Sequence, residues 1–180
     1  MPDRTQKFTL IDPPLAASQK APLGKIVEID GNVYVYCLFT EEGAGGETLT
    51  AGDVVFSNNL VAAAGDFEMN HFEAAGSVTI ADMLGVFIGD GLMPDTIDDT
   101  TIVDGAYGWV QTYGYNASIL MEDTAALTLG CSCYGVSGTH YCVIDTARGT
   151  IPSYFHHIIS LEAANTSAEV LRAGLIRCRS

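Results

Sequence analysis

Basic residues are missing from most of this chain. Only eight of its 180 residues are Lys or Arg, and each lies at Lys25 or before, or at Arg148 or beyond. The long stretch between those positions has none, yet it holds most of the 22 Asp and Glu residues. An acidic body of this kind repels phosphate backbones, which argues against direct nucleic-acid binding. Long apolar runs are absent too: none approaches the roughly 18 residues that span a bilayer as a helix. The opening MPDRTQKFTLIDPP has no h-region, so it does not read as a signal peptide. The expectation is a soluble chain made in the cytoplasm, with no membrane partner. Gly-x-Ser-x-Gly elbows, phosphate loops and dinucleotide fingerprints are also lacking. Catalysis therefore has no local signature, and the chain reads as a non-enzyme.

Charge is scarce overall, at 17% of residues against 48% hydrophobic, with a mean hydropathy of +0.23. About 25% charged is usual, so apolar surface is left over for a partner. The length suits one well-cored domain. The five cysteines are an odd set without a disulfide rhythm, and in a reducing compartment they default to small packed hydrophobes.

Residues 1–25 are polar and punctuated by Pro2, Pro13, Pro14 and Pro22. Pro13–Pro14 excludes a helix and favours extended backbone, so this segment reads as an arm. Its basic residues, with Arg172, Arg177 and Arg179 at the other end, are candidates for docking on an acidic support. From Ile26 onward the pattern is β. KIVEID, then Gly31–Asn32, then VYVYCLF is a hairpin signal. TLTAGDVVF, LVAAAGDFEMNHF, SVTIADMLGVFIG and TIVDGAYGWVQTYG come next as strand-sized runs, then NASILM, ALTLGCSCYGV and YCVID. SYFHHIISLEAA and EVLRAGLIRC read as a closing hairpin, with a short helix at 161–171 as the alternative. The chain is expected to be all-β: a single β-sandwich or β-barrel domain over 26–180 behind an extended N-terminal arm over 1–25.

The best-patterned stretch is DGAYGWVQTYGYNASILMEDTAALTLGCSCYG, Asp104–Gly135, which contains the only tryptophan, Trp109. Glycine and aromatic residues among small apolar ones build a packing surface, read here as a pair of strands around Gly114. One internal echo is present: Leu49-Thr-Ala-Gly52 and Leu127-Thr-Leu-Gly130 each lead into a strand, as recurring corners of a barrel or sandwich do.

Three sets of residues invite a chemical reading. Cys131-x-Cys133 with His140-x-Cys142 offers four soft ligands, but zinc pairs are normally spaced by two to four residues, so packed thiols are the expectation. His156 and His157 face opposite sides of a strand and cannot share a metal. Asp90, Asp95, Asp98, Asp99 and Asp104 lack the ligand placement of a calcium loop and read as a solvated acidic segment. No metal or cofactor is expected.

The strand Tyr107-Gly108-Trp109-Val110-Gln111, the small residues after it, the Leu127-Thr-Leu-Gly130 corner and the closing Ile158–Ala164 and Ala173–Ile176 segments resemble small virion proteins of tailed phages, over roughly residues 80–178. That resemblance implies a capsid decoration (cement) protein or an allied head protein. It would sit on the capsid exterior against the major capsid protein and bridge neighbouring capsomers, as a homo-oligomer in which a trimer is favoured. Cys131 departs from the acidic residue such chains often carry after the glycine. Under strict alternation Tyr107, Trp109 and Tyr113 share a face; with Phe8 and Leu10 of the arm they are the candidate interface residues, Trp109 also being a candidate for the core. The alternatives are a small metal-binding protein or enzyme using the Cys/His residues, and a tail or receptor-binding virion component.

Overall fold

A computed structural model describes residues 19–40, 48–57, 67–70, 83–93, 97–121, 129–135, 141–144, 156–163 and 170–178. Phe8, Leu10 and His140 lie outside these residues, as does most of the arm. The protein is all-β. Among the described residues twelve strands run in chain order: β1 Ile26–Ile29, β2 Asn32–Phe39, β3 Thr48–Thr50, β4 Val54–Ser57, β5 Glu68–Asn70, β6 Met83–Gly89, β7 Thr101–Val103, β8 Tyr107–Met121, β9 Ser132–Gly135, β10 Cys142–Ile144, β11 His156–Ser160 and β12 Val170–Cys178. β3 and β7 pair only with each other, and the other ten form one sheet.

That sheet closes on itself twice. β2, β5, β4, β6 and β8 form one ring of pairings, and β8, β10, β9, β11 and β12 form a second, with β8 common to both. In each ring the first and third strands in chain order are parallel, and every other neighbour is antiparallel. The connectivity is thus repeated, with β8 as last strand of the first ring and first strand of the second.

The sequence echo falls on equivalent corners of this repeat. Gly52 donates its amide to the Phe87 carbonyl at 2.9 Å, and the Phe87 amide returns to the Asp53 carbonyl at 2.9 Å. Gly130 donates to the Ser160 carbonyl at 2.8 Å, and the Ser160 amide returns to Cys131 at 3.0 Å. Both glycines have positive φ, 106° and 81°, so the corner needs a residue that tolerates that conformation.

Alternation along the strands divides the apolar side chains among three clusters. Val35, Cys37, Phe39, Val55, Met69, Phe87 and Val110 fill the first ring, with Leu49 and Ile102 from the small sheet. Ile119, Met121, Cys133, Cys142, Ile158, Ile176 and Cys178 fill the second. Val54, Phe56 and Val86, on the other face of β4 and β6, join that second core. The rings are therefore welded: the second is closed by the back of the first. Burying side chains of this size stabilises by roughly 1.5–3 kcal/mol each.

The β1–β2 hairpin forms as the sequence indicates, through a two-residue turn in which Asp30 (φ 52°) and Gly31 (φ 79°) are both left-handed. The closing β11–β12 ladder also forms, with His156 opposite Cys178 and His157 opposite Arg177. One expectation is corrected. Gly114 does not separate two strands; it lies inside the 15-residue β8, where the chain bends at φ 105°.

Candidate interaction surface

The YGWVQTYG segment is the part of β8 that belongs to the first ring and carries the chain to the junction. Trp109 is 5% exposed and packs on Tyr36 with ring centroids 4.9 Å apart. Tyr107 stacks on the same Tyr36 at 6.1 Å. Ala21 lies over this cluster, which also takes Val27, Ile88 and Leu92. Burial moves Trp109 from the expected interface set into the core. Tyr107 is half-buried beside it.

Three irregularities shape β8 beyond Trp109: a bulge opposite β2, the positive φ of Gly114, and a second bulge between Asn116 and Ile119, where β12 spans only Arg172–Gly174. Val33 and Tyr34 pair with Tyr113 and Gln111, so β8 holds Thr112 as an extra residue. Such a bulge breaks strict alternation and increases local twist. Tyr107, Trp109 and Tyr113 are therefore not one row. The ladder to β2 ends at Tyr113, so backbone groups of β8 on that side need new partners beyond it. The buried Gln111 side chain supplies them: its Nε2 donates to the Tyr113 and Tyr115 carbonyls at 3.2 and 2.9 Å, and its Oε1 accepts from Asn116 Nδ2 at 3.0 Å.

Past the bulge β8 presents two tyrosines outward, Tyr113 at 42% and Tyr115 at 53% exposure. Their direct partners on β12 are Arg177 and Leu175. Directly paired residues share a face of the sheet, so these four form one surface, which Ile159 continues on β11 opposite Leu175. Tyr113 was legible as a candidate. Tyr115 has no signal of its own once a strand end is read at Gly114; the continuous β8 places it beside Tyr113 at i, i+2 spacing. Arg177 and Leu175 carry no local signal, since only the β8–β12 register brings them there.

The acidic segment and the arm root meet at a second place. Lys20 Nζ bonds Asp90 Oδ2 and Asp98 Oδ2, both at 2.7 Å. Asp90 Oδ1 accepts the amides of Asp98 and Asp99 at 2.9 and 3.1 Å. Burial alone would raise the Asp90 carboxyl, but Lys20 and the Asp99 and Asp98 amides together hold it below its usual value. The same contacts, Asp90 first, raise Lys20. The Lys20 amide also donates to the Tyr36 hydroxyl at 2.8 Å. Lys20 is thus engaged inside the molecule, which removes it from the basic residues considered for docking on an acidic support.

All five cysteines are free thiols. Cys133 and Cys142 occupy, in the second ring, the inward positions that Val55 and Met69 occupy in the first. Side chains that cannot ligate do the same packing there. Burial pushes the Cys37 thiol up to about 12 and raises Cys142 and Cys178 as well, the latter two within the second core. Cys131 Sγ is 4.0 Å from Cys133 Sγ. Among the described residues no group of three or more His, Cys, Asp or Glu side chains is placed to hold a metal ion. An open cleft at the ring junction, lined by Thr48, Thr50, Ala51, Asp53, Leu120 and Leu171, has Asp53 occupied by the Thr50 amide at 2.7 Å. Neither a scan against protein-family models nor a search of curated proteins returns a match to this chain.

Proposed function

We propose that the protein is a non-catalytic virion component that binds the outer surface of a capsid as a homo-oligomer and stabilises the shell by bridging neighbouring capsomers. The observation that carries this reading is the Tyr113–Tyr115–Leu175–Arg177 face. Tyrosine and arginine dominate the binding energy of protein interfaces, and here they stand on two long strands fixed by the second core. A surface held this rigidly loses little conformational freedom on binding. Repetition by capsid symmetry would convert modest single-site affinity into strong attachment. The resemblance of the YGWVQ segment to small head proteins of tailed phages supports the same class.

The test has two steps. Mass spectrometry and electron microscopy of purified particles locate the chain; its absence from them overturns the capsid reading. Co-sedimentation with particles then compares wild type with Tyr115→Ala and Arg177→Glu. Each variant is expected to weaken attachment by about tenfold or more, the size of a single hot-spot loss. Undiminished binding removes the patch from the contact.

A further inference from the structure

The two rings repeat each other closely enough for a departure between them to show residue by residue. Gly52 and Gly130 mark the same corner. The pairs Val54–Val86 and Val55–Gly85 of the first ring answer to Ser132–Ile159 and Cys133–Ile158 of the second. Cys131 therefore stands where Asp53 stands, and Cys133 where Val55 stands. In the first ring these positions have separate tasks: Asp53 accepts the Thr50 amide at 2.7 Å, and Val55 fills the core. In the second ring both are cysteines, and their sulfurs meet at 4.0 Å. Packing alone accounts for Cys133, which replaces a valine. Cys131 only touches the rim of that core, and its counterpart is a corner carboxylate.

The two thiols differ in access. Cys131 is half-exposed and Cys133 is buried. Their backbones are held in place: the Gly130 amide donates to the Ser160 carbonyl at 2.8 Å, and the Cys131 carbonyl accepts the Ser160 amide at 3.0 Å. Cys133 is paired with Ile158 on one side and Ile144 on the other. Residues two apart on an extended chain have Cα atoms about 6.4–6.8 Å apart, just within the span that a disulfide accepts. Disulfides at the limit of that geometry form, and they are readily reduced.

We propose that Cys131 and Cys133 are a reversible oxidation site for a hydroperoxide, with Cys131 as the attacking thiol and Cys133 as the resolving one. The Cys131 thiolate attacks one peroxide oxygen and the O–O bond breaks. Hydroxide leaves and takes up the proton that the thiol gave, which makes one water and leaves Cys131 as a sulfenic acid. The Cys133 sulfur then attacks the sulfenic sulfur. The S–S bond forms, the S–O bond breaks, and the Cys133 proton departs with hydroxide as a second water. The two thiols give up two electrons, and one peroxide is reduced. A dithiol reverses the change by thiol–disulfide exchange. Resolution needs no solvent at Cys133, because the sulfur it attacks already lies against it. Cys142 and Cys178 do not compete for the peroxide, since burial keeps both protonated. The closed loop is only Cys131-Ser132-Cys133, so the bond restrains the unfolded chain little and does not brace the fold. Its effect is to return Cys131 from the sulfenic state before irreversible oxidation. The site makes no use of the capsid reading and stands or falls apart from it.

The experiment treats reduced full-length protein with hydrogen peroxide and then alkylates the remaining thiols. Chymotryptic cleavage after Leu129 and Tyr134 releases Gly130–Tyr134, which holds Cys131 and Cys133 and no other cysteine. In wild type this peptide is expected to lose two hydrogens, to escape alkylation, and to regain both thiols with dithiothreitol. Cys133→Val removes the resolving thiol, so Cys131 should accumulate as a sulfenic acid trapped by dimedone, and pass to the sulfinic acid with excess peroxide. Cys131→Asp, which restores the residue of the first ring, should leave Cys133 reduced at the same dose. The wild-type result is decisive without either variant. Sulfinic acid at Cys131 in wild type to the same extent as in Cys133→Val would overturn the proposal. So would a link from Cys131 to Cys142, to Cys178 or to a second chain, or two unoxidised thiols at a dose that fully oxidises free cysteine.

Discussion

The Asn32 side-chain oxygen accepts a hydrogen bond from the Tyr115 amide at 2.9 Å, across the point where β8 bends at Gly114. A Cβ at position 114 would collide with that same oxygen. Hairpin and bend are thus fitted to each other: the residue that closes the β1–β2 turn also holds the strand shared by both rings. Gly114→Ala is expected to destabilise the fold by at least about 1–3 kcal/mol, because an L-residue is strained at this φ even before the clash. Urea denaturation measures it, and Gly31→Ala, which meets no atom within 4 Å, isolates the conformational part.

Gln111 gives a second prediction about the same bend. Its amide is the donor for two backbone carbonyls, Tyr113 and Tyr115. Gln111→Leu keeps the bulk and removes both donors, so the cost is that of buried polar groups left unmade, about 1–3 kcal/mol. Gln111→Glu removes the donors equally and adds a buried charge, and should cost more. A Leu variant as stable as wild type would mean that water serves those carbonyls.

These two positions also explain how far the sequence could be read. The β1–β2 hairpin was legible because Asp30–Gly31 encodes its turn within two residues, and the Gly52 and Gly130 corners were legible because the same four-residue pattern recurs. The continuity of β8 was not. A glycine followed by Tyr-Asn-Ala-Ser reads as a turn, and what keeps it a strand is bonding from Gln111, Asn32 and the facing β12. The parallel closures, β2 with β5 and β8 with β10, rest on three residue pairs far apart in the chain. Periodicity carries no trace of them. The interaction surface fails for the same reason: Tyr113 is visible alone, whereas Arg177 joins it only through register.

The thiols provide a third prediction. Cys37, Cys133, Cys142 and Cys178 are buried, and Cys131 is half-exposed. Native alkylation at neutral pH, read by mass spectrometry, should modify Cys131 first, because the thiolate is the reactive form and burial suppresses it at Cys37, Cys142 and Cys178. Cys133→Val, which copies Val55 of the first ring, should change stability by less than about 1.5 kcal/mol. Stoichiometric zinc in purified protein, lost with Cys133→Ser, would contradict this packing role and restore the metal-binding alternative.

The arm root supplies the last prediction, and its pH dependence has a definite sign at each end. Asp90 is held below its usual value, so its contribution is present above the unfolded carboxylate pKa of about 3.9 and is lost as pH falls through the folded value. Lys20 is raised, so its contribution is complete below about 10.4 and is lost as pH rises through its folded value. The clamp therefore holds from mildly acidic pH to beyond neutrality and opens at both extremes. Lys20 is partly open to solvent, so Lys20→Ala should cost only about 0.2–1 kcal/mol of global stability. Its larger effect is local, because the Lys20 amide and Ala21 lie directly on the Tyr36–Trp109 pair. Fluorescence of Trp109, the only tryptophan, should shift to the red in Lys20→Ala and in wild type as pH falls through the folded Asp90 value, before the sheet unfolds. High salt should produce part of the same shift, since exposed ion pairs are screened. Emission that follows global unfolding alone would show that Ala21–Gly24 stay in place without the clamp, held by apolar contact and the Tyr36 backbone bonds.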